Sequence, residues 1–113
     1  VRKSEGRSIT SFQSIQHQLV DLATQIMAMR SLVYFSAWKA DSGIDASAEI
    51  NMAKVFCVES ANRVITEAFR LSGGISYLEG SVLYRLLREA SLGYFAGGTS
   101  EIARNAAAKR LGF

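Results

Sequence analysis

Residues 12–33 read FQSIQHQLVDLATQIMAMRSLV. Phe12, Ile15, Leu19, Leu22, Ile26, Met29 and Val33 are spaced alternately three and four apart. That period gathers them on one stripe of a long helix. Thr10 with Gln13 three positions on has the spacing of a capping box, which predicts the helix start. Asp41, Ser42 and Gly43 form a turn cluster, which predicts its end. No proline interrupts the 113 residues.

Working outward, a second helix is expected from Asp45 or Ser47, carrying Ile50, Ala53, Val58, Ala61, Ile65, Ala68 and Phe69 inward. Its alanines (48, 53, 61 and 68) allow a neighbouring helix to approach closely. Gly73 and Gly74 should close it, since glycine takes the left-handed backbone that helix ends commonly need. A third, shorter helix holds Val82, Leu83, Leu86, Leu87 and Ala90 and closes at GYFAGG. A fourth starts at TSEI and runs to about Leu111. No run reads as a strand. Four helices on short connections predict an all-α, up-down-up-down four-helix bundle.

Composition narrows the function. Hydrophobic residues make up 49% and charged residues 20%, which suits one globular domain. The 13 basic and 10 acidic residues are interspersed, so there is no basic track of the kind that binds nucleic acid. Apolar runs fall well short of a membrane span. The single thiol, Cys57, makes no intrachain disulfide and reads as a small buried hydrophobe. The single histidine, His17, sits among polar neighbours and lacks the partner donors that a metal site needs, so no metal is expected. The first residue is Val, not Met, which predicts a fragment or a processed product.

The stretch AGGTSEI, residues 96–102, carries the most specific backbone chemistry. A helix N-terminus leaves amide N–H groups unpaired and carries partial positive charge. Gly97 and Gly98 let another molecule approach the backbone, while Thr99 and Ser100 add hydroxyls. With Gly98 as the N-cap, Glu101 would stand third in the helix and reach back to it. The arrangement suits a phosphate or a polar ring edge, and it equally suits a capped helix with no ligand.

GGTSEIARNAAAKRLGF (97–113) resembles the C-terminal signature of the acyl-CoA dehydrogenases. FQSIQHQLVDLATQIMAMRSLVYFSAW (12–38) and MAKVFCVESANRVITEAFRLSGGISY (52–77) are similar to two earlier helices of that family's C-terminal domain. YRLLREA (84–90) resembles its Arg-x-x-Arg-Asp-Ala segment, with Glu89 for Asp. The resemblance covers essentially the whole chain. It implies that the N-terminal and β-barrel middle domains, and the first helix of the C-terminal bundle, lie outside these residues.

The resemblance implies FAD as cofactor of the full-length enzyme, though not of this piece alone. Arg2 matches an arginine on the FAD pyrophosphate across a subunit interface. Gln13 also matches an FAD contact, Gly73 and Gly74 match a turn beside the adenine side, and Thr99, Ser100 and Glu101 match a cofactor-contacting triplet. Gly97 and Gly98 are expected at the acyl-CoA thioester. Implied partners are further copies in a dimer or tetramer and an electron-transfer flavoprotein. The implied compartment is the bacterial cytoplasm or the mitochondrial matrix.

Three positions depart from the family pattern. Arg70 replaces a glutamine, Ser76 replaces a glycine before Tyr77, and Gly97 stands where many members carry the catalytic glutamate. Glycine cannot take a proton, so no catalytic residue is expected in this segment. Isovaleryl-type relatives also have a small residue here and supply the glutamate from the preceding helix. The alternatives are a related flavin monooxygenase or oxidase, a non-catalytic subunit of a heteromeric dehydrogenase, and a cofactor-free oligomerisation module.

Overall fold

The structure is a computed structural model that describes residues 2–113. It opens on a small hairpin that the sequence reading did not anticipate. Strands β1 (Lys3–Ser4) and β2 (Arg7–Ser8) pair antiparallel, Lys3 opposite Ser8 and Ser4 opposite Arg7. The turn residues Glu5 and Gly6 both have positive φ, 51° and 76°, as the tight primed turn requires. Two-residue strands are too short to leave an alternating pattern.

A 3-10 turn (Ile9–Ser11) follows, then helix α1 (Gln13–Asp41). The capping box expected at Thr10 does not form. Phe12 occupies the cap position without a side-chain hydrogen bond. Ser8 Oγ accepts from the Thr10 amide and bonds its hydroxyl, so the 3-10 turn uses Thr10. Gln16 Nε2 donates to the Thr10 carbonyl at 2.9 Å.

Helix α2 (Ser47–Ser72) starts where Asp45 Oδ1 accepts from the Ser47 amide at 2.9 Å. It returns antiparallel along α1. Lys39 pairs with Glu49 near the connection, Cys57 Sγ lies 3.7 Å from the Met29 carbonyl midway, and Arg70 donates to Gln18 at 2.9 Å at the far end. Gly73 ends α2 with φ 74° and ψ −164°. Gly74 has no positive φ; it starts a second 3-10 turn (Gly74–Tyr77) instead.

Helices α3 (Val82–Leu92) and α4 (Ser100–Leu111) complete the all-α, four-helix architecture. Both pack on α2. Towards its C-terminal half, Asn62 Nδ2 donates to the Ala90 carbonyl of α3 at 2.9 Å. Against its N-terminal half, Arg104 and Arg110 of α4 pair with Glu59 and Asp45. Ala53 of α2 and Ala103 and Ala107 of α4 are buried, small enough for the two helices to pack closely.

The hub position of α2 explains where the inward set differs from expectation. Leu22, Val64 and Leu71 form the buried core, with Ile15 and Met29 packed against it. Leu19, Ile26 and Val33 of the α1 stripe remain exposed, as does Ile50. Among the described residues α1 packs mainly on α2 and the first 3-10 turn, and one neighbouring helix covers only part of a stripe. No helix of the described residues is long and apolar enough to cross a membrane.

Candidate functional site

The sequence-designated residues fall into two groups at different ends of α2. The first is built by the hairpin. The Ile9 amide donates to the Arg2 carbonyl at 3.0 Å, which extends the ladder by one bond and turns Arg2 toward the end of α2. Arg2 Nη1 donates to the Leu71 carbonyl at 2.7 Å, where a cation also meets the negative end of the helix dipole. Its guanidinium lies against Gly73, so that a β-carbon there would stand 3.0 Å from Arg2 Cζ. Arg2, Gly74, Ile15, Leu71 and Ile75 line an open groove of about 660 Å³. Gln13 is exposed at the start of α1 and does not line it.

Arg70, the cation in place of a family glutamine, is tied back by Glu67 at 2.7 Å and Gln18 at 2.9 Å. Ser76 is 2% exposed, and its hydroxyl lies 2.6 Å from the Gly73 carbonyl and 3.1 Å from that of Phe69. It braces the glycine turn from beneath. Its 3-10 conformation demands no glycine, which explains why serine is accommodated there.

The second group is the turn before α4. Gly97 and Gly98 have φ of 68° and 102°, and the space beside Gly97 is open. The N-cap is Thr99 and not Gly98: Thr99 Oγ1 accepts from the Ile102 amide at 3.3 Å. This shifts the expected capping register by one residue, because Gly98 has no side-chain acceptor. Glu101 accordingly does not cap from the third position. Its own amide and the Thr99 hydroxyl hold its carboxyl below the usual range. Ser100 is 5% exposed, and its Oγ has no hydrogen-bond partner among the described residues.

Sequence reading missed Lys54. From α2 its Nζ donates to the Gly98 carbonyl, fastening the turn to the hub helix. No local motif marks it, since the contact joins positions 44 apart. Between Lys54 and Gly73 run 19 helical steps of 1.5 Å, so the two groups lie about 28 Å apart along α2. Another groove, about 820 Å³, runs beside α3 from Glu79 to Leu92 and includes none of the designated residues.

Residues 1–112 match the acyl-CoA dehydrogenase C-terminal domain. A 3-(aryl)acrylate reductase of Clostridium sporogenes is 36% identical over 97% of this chain and 29% of its own length. The butyryl-CoA dehydrogenase of Megasphaera elsdenii superposes with a TM-score of 0.92 at 34% identity, covering 97% of this chain and 29% of that one. The FAD complex of PigA superposes with a TM-score of 0.90 at 29% identity, covering 99% and 29%. The chain thus spans under a third of these relatives. It belongs to the acyl-CoA dehydrogenase family, as the C-terminal domain.

Proposed function

We propose, on the premise of that family membership, that this domain serves a FAD-dependent acyl-CoA dehydrogenase and contributes edges to two separate flavin sites. The observation that carries this reading is the distance of about 28 Å along α2 between the Arg2–Gly73 pair and the Gly97–Glu101 turn. In the resemblance, Arg2 contacts the cofactor across a subunit interface and the Thr99–Glu101 triplet is a separate cofactor contact. Two groups held this far apart on one rigid helix suit two half-sites.

The residues fit the cofactor chemically. Arg2 and Gly73 offer a guanidinium over bare backbone, and Gly74 lines the same groove for pyrophosphate and adenine. Ser100 Oγ is a buried polar atom without a partner among the described residues, and the first amides of α4 can donate to an anion or a carbonyl oxygen. FAD, when bound, supplies the acceptor for the hydride leaving the β-carbon of the thioester. Gly97 and Gly98 leave room for the acyl group beside the turn. The α-proton needs a carboxylate within hydrogen-bond reach, and Gly97 has none. The base is therefore assigned to a glutamate on an element outside residues 97–101.

Assembly follows the same reading. Val20, Met27, Tyr34 and Trp38 of α1 are each 59% exposed or more, an apolar face suited to a second copy in a dimer or tetramer. An electron-transfer flavoprotein is the proposed electron acceptor.

The test is a visible absorption spectrum of the complete subunit, followed by anaerobic addition of an acyl-CoA. A flavin band that bleaches with the thioester supports the reading. A colourless protein overturns it, and a flavin that never bleaches favours a non-catalytic subunit, which bare Gly97 would also suit.

A further inference from the structure

Lys54 is a half-buried ammonium whose one hydrogen bond among the described residues goes to a backbone carbonyl, that of Gly98. None of the ion pairs among the described residues includes it. Withdrawing a lysine from water is unfavourable without a partner, so a half-buried lysine committed to one carbonyl calls for an explanation. The carbonyl belongs to a turn with little stiffness of its own. Gly97 and Gly98 are consecutive glycines at positive φ, and glycine backbones move readily between such conformations.

Within the planar trans peptide joining Gly98 to Thr99, the C=O and N–H point in opposite directions. With the carbonyl drawn to α2 by Lys54, the Thr99 N–H is turned away from α2. Lys54 also helps to hold Glu101 ionised, as a lesser influence behind the amide and the Thr99 hydroxyl. The hub helix therefore selects one orientation for a turn that could otherwise take several.

We propose that Lys54 is a positioning residue for the flavin and thioester side of the Gly97–Glu101 turn, locking the Gly98–Thr99 peptide so that its amide faces the ligands. This rests on the function proposed above. Lys54 touches neither ligand and acts through the backbone it holds.

The experiment compares Lys54→Met and Lys54→Arg with the wild type in the complete subunit. Amide hydrogen exchange across residues 97–102 reads the lock directly, without any ligand. In Lys54→Met, exchange there should rise on the order of ten- to a hundredfold, as expected for losing a charge-assisted hydrogen bond, while α2 and the melting temperature stay near wild type. KM for the acyl-CoA should rise more than kcat falls, and the flavin band should shift. Lys54→Arg should restore most of both. Unchanged exchange in Lys54→Met overturns the lock whatever the kinetics, as does a variant whose exchange rises uniformly over the whole chain. Faster exchange confined to the turn, with KM and flavin band unmoved, overturns the positioning role. If the wild type carries no flavin, the function reading fails, and exchange alone then decides whether the lock exists.

Discussion

The Arg2 guanidinium fills the space where a side chain at Gly73 would stand: a β-carbon built there lies 3.0 Å from Arg2 Cζ and 3.1 Å from Nη1. The two residues are 71 positions apart in sequence and are joined only by the hairpin's docking on the end of α2. Gly73 also has φ 74° and ψ −164°, a combination open essentially to glycine alone.

Gly73→Ala should therefore cost about 1–3 kcal/mol, mostly as backbone strain, because the guanidinium is a flexible end that can swing aside. Gly74→Ala should change stability by less than about 0.5 kcal/mol, since Gly74 has no positive φ and nothing lies within 4 Å of its added carbon. Urea denaturation of both variants checks the contrast.

Ser76→Ala should cost about 1 kcal/mol or somewhat more. The hydroxyl is buried and bonds carbonyls at the α2 terminus, which alanine would leave short of a donor. Equal midpoints for variant and wild type would contradict this role.

Thr99→Ala should cost about 1 kcal/mol through loss of the N-cap, with Thr99→Ser close to neutral. The same pair should separate capping from ligand contact: a serine that restores stability but not FAD affinity would identify the threonine methyl as a contact.

Acid should weaken the domain through Asp45, Glu49 and Glu101. Hydrogen bonds from Ser47 lower the first, a bond from Lys39 the second, and its own amide with Thr99 the third. Because the folded values are depressed, the stability they confer is present above the ordinary values of 3.8 for Asp and 4.5 for Glu. It is lost as pH falls through the lower folded values. The melting temperature should drop below about pH 4.5, and Asp45→Asn should flatten that drop.

Burial pushes the Cys57 thiol up from its ordinary value, so little reactive thiolate is present at neutral pH. Alkylation by iodoacetamide should be slow in the folded protein and should accelerate in urea. Equal rates in both would show the thiol to be open.

The sequence by itself determined the helices, because helix formation follows from local spacing. The 3-4 alternation from Phe12 to Val33, the turn at Asp41–Gly43 and the break at Gly73 each depend on neighbours within a few positions. It also carried the family resemblance, since motifs such as GGTSEI are contiguous. Tertiary structure decided which of those residues act together. Lys54 of α2 reaches the Gly98 carbonyl from 44 positions away, a contact that no local pattern records. Leu22, Val64 and Leu71 form the buried core, while Leu19 and Val33 on the same stripe stay exposed. The separation of the site into two groups follows from the length of α2, Ser47–Ser72, along which both are placed. Periodicity records which face of a helix is apolar; only packing decides what that face meets.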